Sequence, residues 1–528
     1  MGRNKKHKEC GMILKRRTLE NKAYVKNGAV RMVFFAAAII VQILWLIMVI
    51  GRLQMDYPWV TPLISVLTLA VVIMIYGRHE NSAMKLLWML LIMTFPPLGL
   101  ILYLVTGLSG TTRAMKRRFA SIDRRLLPFM PAKPSDLPPL PAQAAGISHA
   151  IAGAGFPAYA NTEVTFFPDP PLALNALKED LSRAEHFIFM EYYAIEDKEI
   201  FEGILDILRE RAKAGVDVRL FYDDIGSVFF INTDFARRME QEGIRCRIFN
   251  PMLPLTNIFM NNRDHRKMTI IDGKIGYTGG YNLANEYFHL TEPYGHWKDT
   301  GLRLCGGAVH TMTYLFLEMW NAIRRSKIDT QAFAPLFPPQ MPSNPALGFV
   351  QPYADSPLVF ENIGENVYMN ILGSAQHYCW FTTPYLIITD EMARAFTLAA
   401  GRGVDVRIIT PGIPDKKLTY RVTRSSYRIL ARSGVRIFEY TPGFCHAKQC
   451  VCDDRMAVCG TINLDYRSLY HHFEDGVFMA DCPAVAAIRQ DFDDLFPQCQ
   501  EQTEKYAKPV PFAVRLWETL LRLIAPLL

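Results

Sequence analysis

The chain has 528 residues, half of them hydrophobic and 21% charged, with a formal net charge of +7. That length accommodates two or three domains, and the composition is slightly apolar for a soluble enzyme, the excess lying at the N-terminus. The ten cysteines are scattered without zinc-site spacing, which in so long a chain argues against a disulfide framework and for small core hydrophobes in a reducing compartment.

Residues 1–31 carry ten Lys or Arg and read as a basic cytoplasmic tail. A membrane region, 32–110, follows with three apolar stretches at 32–51, 58–77 and 86–108. About 20 apolar residues span a bilayer. A second basic cluster follows at 109–125: Arg113, Lys116, Arg117, Arg118, Arg124 and Arg125. Positive flanks stay inside, so both ends of the membrane region belong in the cytoplasm and the number of crossings is even. Pro96-Pro97 and Gly99 break the third stretch, which predicts a re-entrant hairpin or an interfacial helix pair there. The expectation is a multi-pass protein of a bacterial plasma membrane, its catalytic part cytoplasmic. Residues 111–160, basic and then Pro-rich (Pro128, Pro131, Pro134, Pro138, Pro139, Pro141, Pro157), read as a semi-rigid linker.

The body is a repeat. Gly215-Val216-Asp217-Val218-Arg219 returns as Gly403-Val404-Asp405-Val406-Arg407, and Gly243-Ile244-Arg245 as Gly434-Val435-Arg436. Each unit alternates strands and helices and ends in a motif strand, predicting two α/β lobes with mixed sheets flanked by helices. The lobes are 161–330 and 351–507, joined by a Pro-rich linker at 331–350, and 508–528 reads as an amphipathic helix for a membrane surface or a protein groove. His265, Lys267 and Asp272 form H-x-K-x4-D in the first lobe, and His446, Lys448 and Asp453 repeat it in the second. Six residues separate Asp272 from Gly279-Gly280-Tyr281-Asn282, and six separate Asp453 from Gly460-Thr461-Ile462-Asn463. Alternation along a strand puts His and Lys of each pair on one face.

The residue types suit phosphoryl chemistry. A neutral imidazole attacks phosphorus, and a protonated one gives its proton to a departing alkoxide. Lys267 and Lys448 supply charge for the phosphoryl oxygens, and Asn282 and Asn463 add amide donors. Two histidines facing each other across one phosphate, at the pseudo-twofold lobe interface, need neither a metal nor a cofactor.

This constellation resembles the phospholipase D superfamily, the HKD enzymes, over residues 160–507. The resemblance implies a covalent phosphohistidine intermediate and an acidic residue downstream of each motif that orients its histidine. Glu474 is then expected to serve His446, and Asp299, with Glu286 as the alternative, to serve His265. Asn262-Arg263-Asp264-His265-Arg266-Lys267, Trp297-Lys298-Asp299-Thr300 and Thr383-Pro384-Tyr385 are similar to bacterial cardiolipin synthases. That likeness implies transfer of a phosphatidyl group between two phosphatidylglycerol molecules, releasing glycerol, with His265 as nucleophile and His446 as acid and then base. It departs from the family in its three apolar stretches, where two are usual. A phospholipase D, or a phosphatidyltransferase with another acceptor, carries the same motifs. A nuclease of the superfamily needs a basic groove, and here the basic clusters lie outside the lobes, where they suit anionic lipid rather than nucleic acid.

Overall fold

The computed structural model describes residues 32–34, 36–79, 81–106, 110–130, 140, 142–251, 262–323, 336–339, 342, 344–359 and 361–527. The basic segment 1–31, the proline run 131–139 and much of the linker expected between the lobes lie outside the described residues.

Five helices lead the chain in: α1 (Met32–Asp56), α2 (Val60–Tyr76), α3 (Ser82–Thr94), α4 (Pro96–Thr106) and α5 (Gly110–Leu126). At 1.5 Å per residue α1 is about 38 Å long, enough for a bilayer, whereas α3 and α4 are about 20 and 16 Å. The third apolar stretch is thus two helices, broken at Pro96. They form an antiparallel hairpin: Trp88 meets Tyr103 edge-on at 5.3 Å. Near the turn, a Cβ on Gly99 would stand 2.7 Å from the Ile92 Cα, so only glycine lets the helices approach this closely. Asn81 caps α3, accepting from the Ala83 amide at 3.0 Å, and its own amide donates to the Tyr470 hydroxyl of the body at 3.1 Å.

The expected linker is largely packed structure. α5 buries Phe119, Ile122 and Leu126 against the body and exposes Arg113, Lys116, Arg117, Arg124 and Arg125. A helix at Ala142–Gly153 buries Ala144, Ile147 and Ile151 in the core of the second lobe. All but one of the prolines that suggested a free linker precede this helix, and Pro157 follows it; its i, i+3, i+7 apolar spacing decides its state.

The first lobe is a seven-stranded sheet built from β1 (Thr162–Phe167), β2 (Phe187–Tyr192), β3 (Asp217–Asp223), β4 (Arg245–Phe249), β5 (Lys267–Ile271), β6 (Ile275–Gly279) and β8 (Gly301–Gly306), in the order β1-β8-β6-β5-β2-β3-β4. Strands β2, β3 and β4 are parallel, the other pairs antiparallel. The second lobe uses β9 (Phe349–Asp355), β10 (Tyr378–Thr382), β11 (Asp405–Pro411), β12 (Arg436–Tyr440), β14 (Gln449–Cys452), β15 (Met456–Gly460), β16 (Glu474–Ala480) and β17 (Cys499–Glu501). Its order, β17-β12-β11-β10-β14-β15-β16-β9, repeats that of the first lobe with β17 added at one edge. One core holds residues of both sheets, among them Phe189, Met268 and Leu302 with Trp380, Val451 and Val477, and helices cover the outer faces. A two-stranded parallel ribbon joins the lobes, β7 (His296–Lys298) with β13 (Gly443–Cys445). All nine described cysteines are free, and seven are buried.

Candidate active site

Neither motif histidine lies within a strand of its own sheet, contrary to the expected H-x-K strand; β5 begins at Lys267 and β14 at Gln449. The chain just ahead of each strand instead pairs with the other lobe. The His265 amide donates to the Phe473 carbonyl at 2.9 Å, and the His446 amide to the Lys298 carbonyl at 2.7 Å. Each histidine therefore sits beside the acid that follows its backbone partner, Glu474 after Phe473 and Asp299 after Lys298. His265 Nδ1 is 2.9 Å from Glu474 Oε2, and His446 Nδ1 is 2.7 Å from Asp299 Oδ2. This reverses the expected assignment. Glu474 serves His265 and Asp299 serves His446, because the pairing is made across the pseudo-twofold and not along the chain. Glu286 makes no hydrogen bond to either histidine among the described residues; burial, then Glu196 and Asp415, raises its carboxyl to about 7.

A carboxylate only accepts hydrogen bonds, so each Nδ1 carries the proton and each Nε2 keeps its lone pair. Burial lowers His265 to about 3, opposed by Glu474 and assisted by Lys267. Burial and Lys448 lower His446 to about 4, opposed by Asp299. Both imidazoles are neutral at neutral pH. Burial pushes Glu474 up, but His265 and His472 outweigh it and hold the carboxyl well below the usual range. Asp299 is likewise held low, burial being outweighed by His446 and Lys448.

The two tails build these supports. The Thr461 hydroxyl donates to Glu474 Oε2 at 2.6 Å. At the matching place in the first tail stands Gly280, where a Cβ would lie 2.0 Å from Asp299 Oδ1. The glycine makes room for the carboxylate, and the threonine tethers one. Asn282 does not stand free for a phosphate: its oxygen accepts from the Ala194 amide at 3.1 Å and its amide donates to the Tyr287 hydroxyl at 2.7 Å. Tyr287 in turn meets the His446 ring edge-on at 5.5 Å. Asn463 is buried beside Asp465 with its oxygen unpartnered.

Lys267 and Lys448 are buried, and each donates to the carbonyl of its own motif histidine. Burial brings Lys267 down to about 8, against Glu474, Asp475 and Asp299. Burial brings Lys448 to about 7, with Asp299 opposing and Lys267 assisting. Each lysine thus lies within the field of acids from both lobes, Glu474 and Asp299.

Asp272 and Asp453 lie apart, at the opposite ends of their strands, roughly 20 Å of chain from the histidines. Asp272 accepts from the amides of Glu185, His186 and Phe187 at 2.9, 2.8 and 2.8 Å. Asp453 does the same for Gln376, His377 and Tyr378 at 2.7, 2.9 and 2.8 Å. Both adopt positive φ, 53° and 52°, which Asp tolerates. They pin the strand of the same lobe and do not face the histidines.

Sequence reasoning missed the rings around the site. Tyr193 meets His265 edge-on at 5.0 Å, and Trp297 and Phe444 flank His446 at 5.2 and 5.7 Å. It also missed His472, buried 5.6 Å from the His265 ring, with Nδ1 3.5 Å from Glu474 Oε1 and both ring nitrogens lacking a hydrogen bond. Tyr193 ends the segment Phe187–Tyr193, whose counterpart in the second lobe is Cys379–Tyr385; nothing singled out His472. Among the described residues, His265, His472 and Glu474 are the group of His, Cys, Asp and Glu whose donor atoms, within 4.8 Å of one another, could hold a metal ion; it contains the His265–Glu474 pair of the site itself.

The family model for the phospholipase D-like domain of cardiolipin synthases matches residues 177–294 and 368–496, and one for the N-terminal segment of phospholipase D and nuclease relatives matches 63–107. A cardiolipin synthase of Geobacillus kaustophilus is 30% identical over 469 residues, 88% of this chain and 92% of the relative. Cardiolipin synthase 2 of Bacillus anthracis is 31% identical over 473 residues, 88% and 90% of the two chains. An uncharacterized protein of Streptococcus mutans is 39% identical over 456 residues, 85% and 98%. Among solved structures, the phosphatidylserine synthase of Haemophilus influenzae superposes with a TM-score of 0.55 at 13% identity, over 72% of this chain and 99% of that one, a likeness of fold.

Proposed function

This chain belongs to the cardiolipin synthase family, and from that premise we propose that it joins two phosphatidylglycerol molecules into cardiolipin and glycerol through a phosphatidyl-histidine. It is a phosphatidyltransferase that acts on membrane phospholipid. The observation that carries the mechanism is the reciprocal pairing of each neutral histidine with an ionised acid of the other lobe. His265 Nε2 attacks the phosphorus of the first lipid while the bond from phosphorus to the glycerol oxygen breaks. The arriving phosphodiester anion supplies the counter-charge that lets buried His446 take up a proton, and His446 gives it to the departing glycerol. Glu474 balances the positive charge that His265 acquires when its second nitrogen is phosphorylated. A headgroup hydroxyl of the second lipid then gives its proton to His446 and attacks phosphorus, and the phosphorus–nitrogen bond breaks. Lys267 and Lys448 hold the phosphoryl oxygens throughout. Water must be kept out of the second step, since hydrolysis yields phosphatidic acid.

The chain is membrane-associated, with α1 long and apolar enough to cross. In our reading α1 and α2 cross, and α3–α4 dips in and returns. Both ends of the hairpin support this, since Asn81 bonds Tyr470 of the body and α5 packs Phe119 on Phe473 at 5.7 Å. The catalytic lobes then face the cytoplasm, and the basic face of α5 faces anionic headgroups.

Purified full-length protein in phosphatidylglycerol vesicles should yield cardiolipin and glycerol in equal amounts, resolved by mass, without nucleotide. An absolute need for a cytidine-activated lipid, or phosphatidic acid as the sole product, would overturn the reaction. A thiol placed at residue 120 of a cysteine-depleted variant should resist an impermeant reagent in intact cells; its labelling would overturn the topology.

A further inference from the structure

The C-terminal helix, Phe512–Leu523, carries apolar residues on two faces. One face is docked. Leu521, with Ala525 just beyond the helix, is buried among Ile387, Val422 and Tyr466. The other is open. Phe512, Leu516, Leu520 and Leu523, at i, i+4, i+8 and i+11, are 71%, 48%, 48% and 38% exposed, and Trp517 beside them is 51% exposed. The helix cannot roll to bury this stripe. Arg428 grips Glu518 with two nitrogens at 2.9 and 3.0 Å, and Arg522 reaches Asp390 at 3.0 Å.

The position of the helix says what covers the stripe. Ala83 and Met84, in the first turn of α3, pack into the same cluster as Leu521 and Ala525. That turn is where the hairpin leaves the body for the bilayer, so the stripe stands at the depth of entry. Twelve residues, about 18 Å, are too few to cross, but they suffice to lie in the plane of the interface. Exposed Arg515 and Arg522 flank the stripe at the height of anionic headgroups.

We infer that the C-terminal helix is a second membrane anchor, its Phe512/Leu516/Leu520/Leu523 stripe inserted among lipid acyl chains. It rests on the membrane reading of α1–α4 given above. The anchor also acts close to the chemistry. Ile387, which Leu521 and Ala525 cover, donates its amide to the Leu464 carbonyl at 2.8 Å, one residue beyond Asn463 of the second motif tail. Anchors at both ends of the chain would hold the site over the surface that supplies both substrates.

The test uses full-length protein in nanodiscs whose lipids carry bromine on their acyl chains. A bimane label goes on Leu516→Cys, and a reference label on Phe95→Cys at the hairpin tip, with the parent protein's labelling subtracted. Quenching of both by bromolipid is the expected result. Quenching at 95 alone, with 516 open to aqueous iodide, overturns the second anchor and leaves the membrane reading standing; quenching at neither overturns both. Disulfide formation between two copies at residue 516 shows a protein partner instead and overturns the inference. A Leu516→Glu, Leu520→Glu variant, altered only at exposed positions, should lose about tenfold or more of its activity on bilayer substrate. It should keep its activity on a short-chain lipid in detergent. Equal loss on both substrates overturns the role.

Discussion

Replacing Glu474 or Asp299 by its amide separates the two half-reactions, because each acid serves one histidine. Glu474→Gln keeps the shape of a fully buried side chain but removes its charge. The hydrogen bond to His265 is charge-assisted and worth about 1.5–3 kcal/mol, a factor of about 10 to 150. A phosphorylated imidazolium also loses its counter-ion, worth about 4 kcal/mol at 4 Å in an effective dielectric near 20. Partial compensation by the lysines leaves an expected loss of about 10²–10⁴-fold in kcat, comparable to removing the acid of a Ser-His-Asp triad. Asp299→Asn should cost a similar factor by impairing His446. The assay compares phosphatidylglycerol with a phosphatidyl ester of nitrophenol, whose leaving group departs without a proton. Release of nitrophenol should be nearly restored in Asp299→Asn and in His446→Ala, and not in Glu474→Gln or His265→Ala. Restoration of Glu474→Gln in place of Asp299→Asn would exchange the proposed roles of the histidines. Asp299→Asn behaving like His265→Ala while Glu474→Gln behaves like His446→Ala would refute the crossed pairing itself.

Asp272→Ala should lower the unfolding free energy by about 2–4 kcal/mol, from three backbone hydrogen bonds, while the folded fraction keeps most of its kcat; Asp453→Ala should do the same. Thermal melts beside single-turnover rates check this, and a loss of several hundredfold in rate at unchanged melting temperature would return the aspartates to the chemistry. The pH profile should show a basic limb in kcat/KM between about 7 and 8, the values for Lys448 and Lys267. The sign follows from the depressed lysines: they are charged below these values and shed a proton as pH rises through them, so the phosphate clamp weakens on the alkaline side. Lys448→Arg should move that limb upward by a unit or more, since guanidinium stays charged; an unmoved limb would exclude Lys448 as its origin.

The duplication was legible because repeats leave the same letters at the same spacing. Gly215–Arg219 and Gly403–Arg407 run into β3 and β11, which hold the same place in the two sheets. The break at Pro96 was legible for a local reason, the missing amide and fixed φ of proline. The acid assignments were not. Chain distance from His446 to Glu474 suggests a partnership, but the β16 acid projects toward the lobe interface, where the first lobe supplies the nearer imidazole. The third letter of the motif misled similarly. Asp272 recurs at fixed spacing for a structural reason, since the turn after β5 must close on the start of β2 and only an acceptor at positive φ takes three amides there. The helix at Ala142–Gly153 was hidden by the prolines before it, although Ala144, Ile147 and Ile151 already had helical spacing.

The crossed pairing changes what duplication means for this enzyme. If each histidine took its acid from its own lobe, each lobe would be half of a site, complete in its own orientation and needing only to be brought opposite the other. Here the first lobe holds His265 but not Glu474, and the second holds His446 but not Asp299. A separated lobe would leave its imidazole without a carboxylate and its carboxylate without the imidazole donor, so neither lobe alone holds a complete pair. The amides of His265 and His446 bond across the same seam, to Phe473 and Lys298, so the backbone contacts that aim the imidazoles are among those that join the lobes. Phe473 also receives Phe119 of α5, which makes the seam continuous with the membrane region. Catalytic competence in this fold is therefore a direct readout of lobe docking, and a change that loosens the seam should reduce both half-reactions together, unlike the loss of either acid alone.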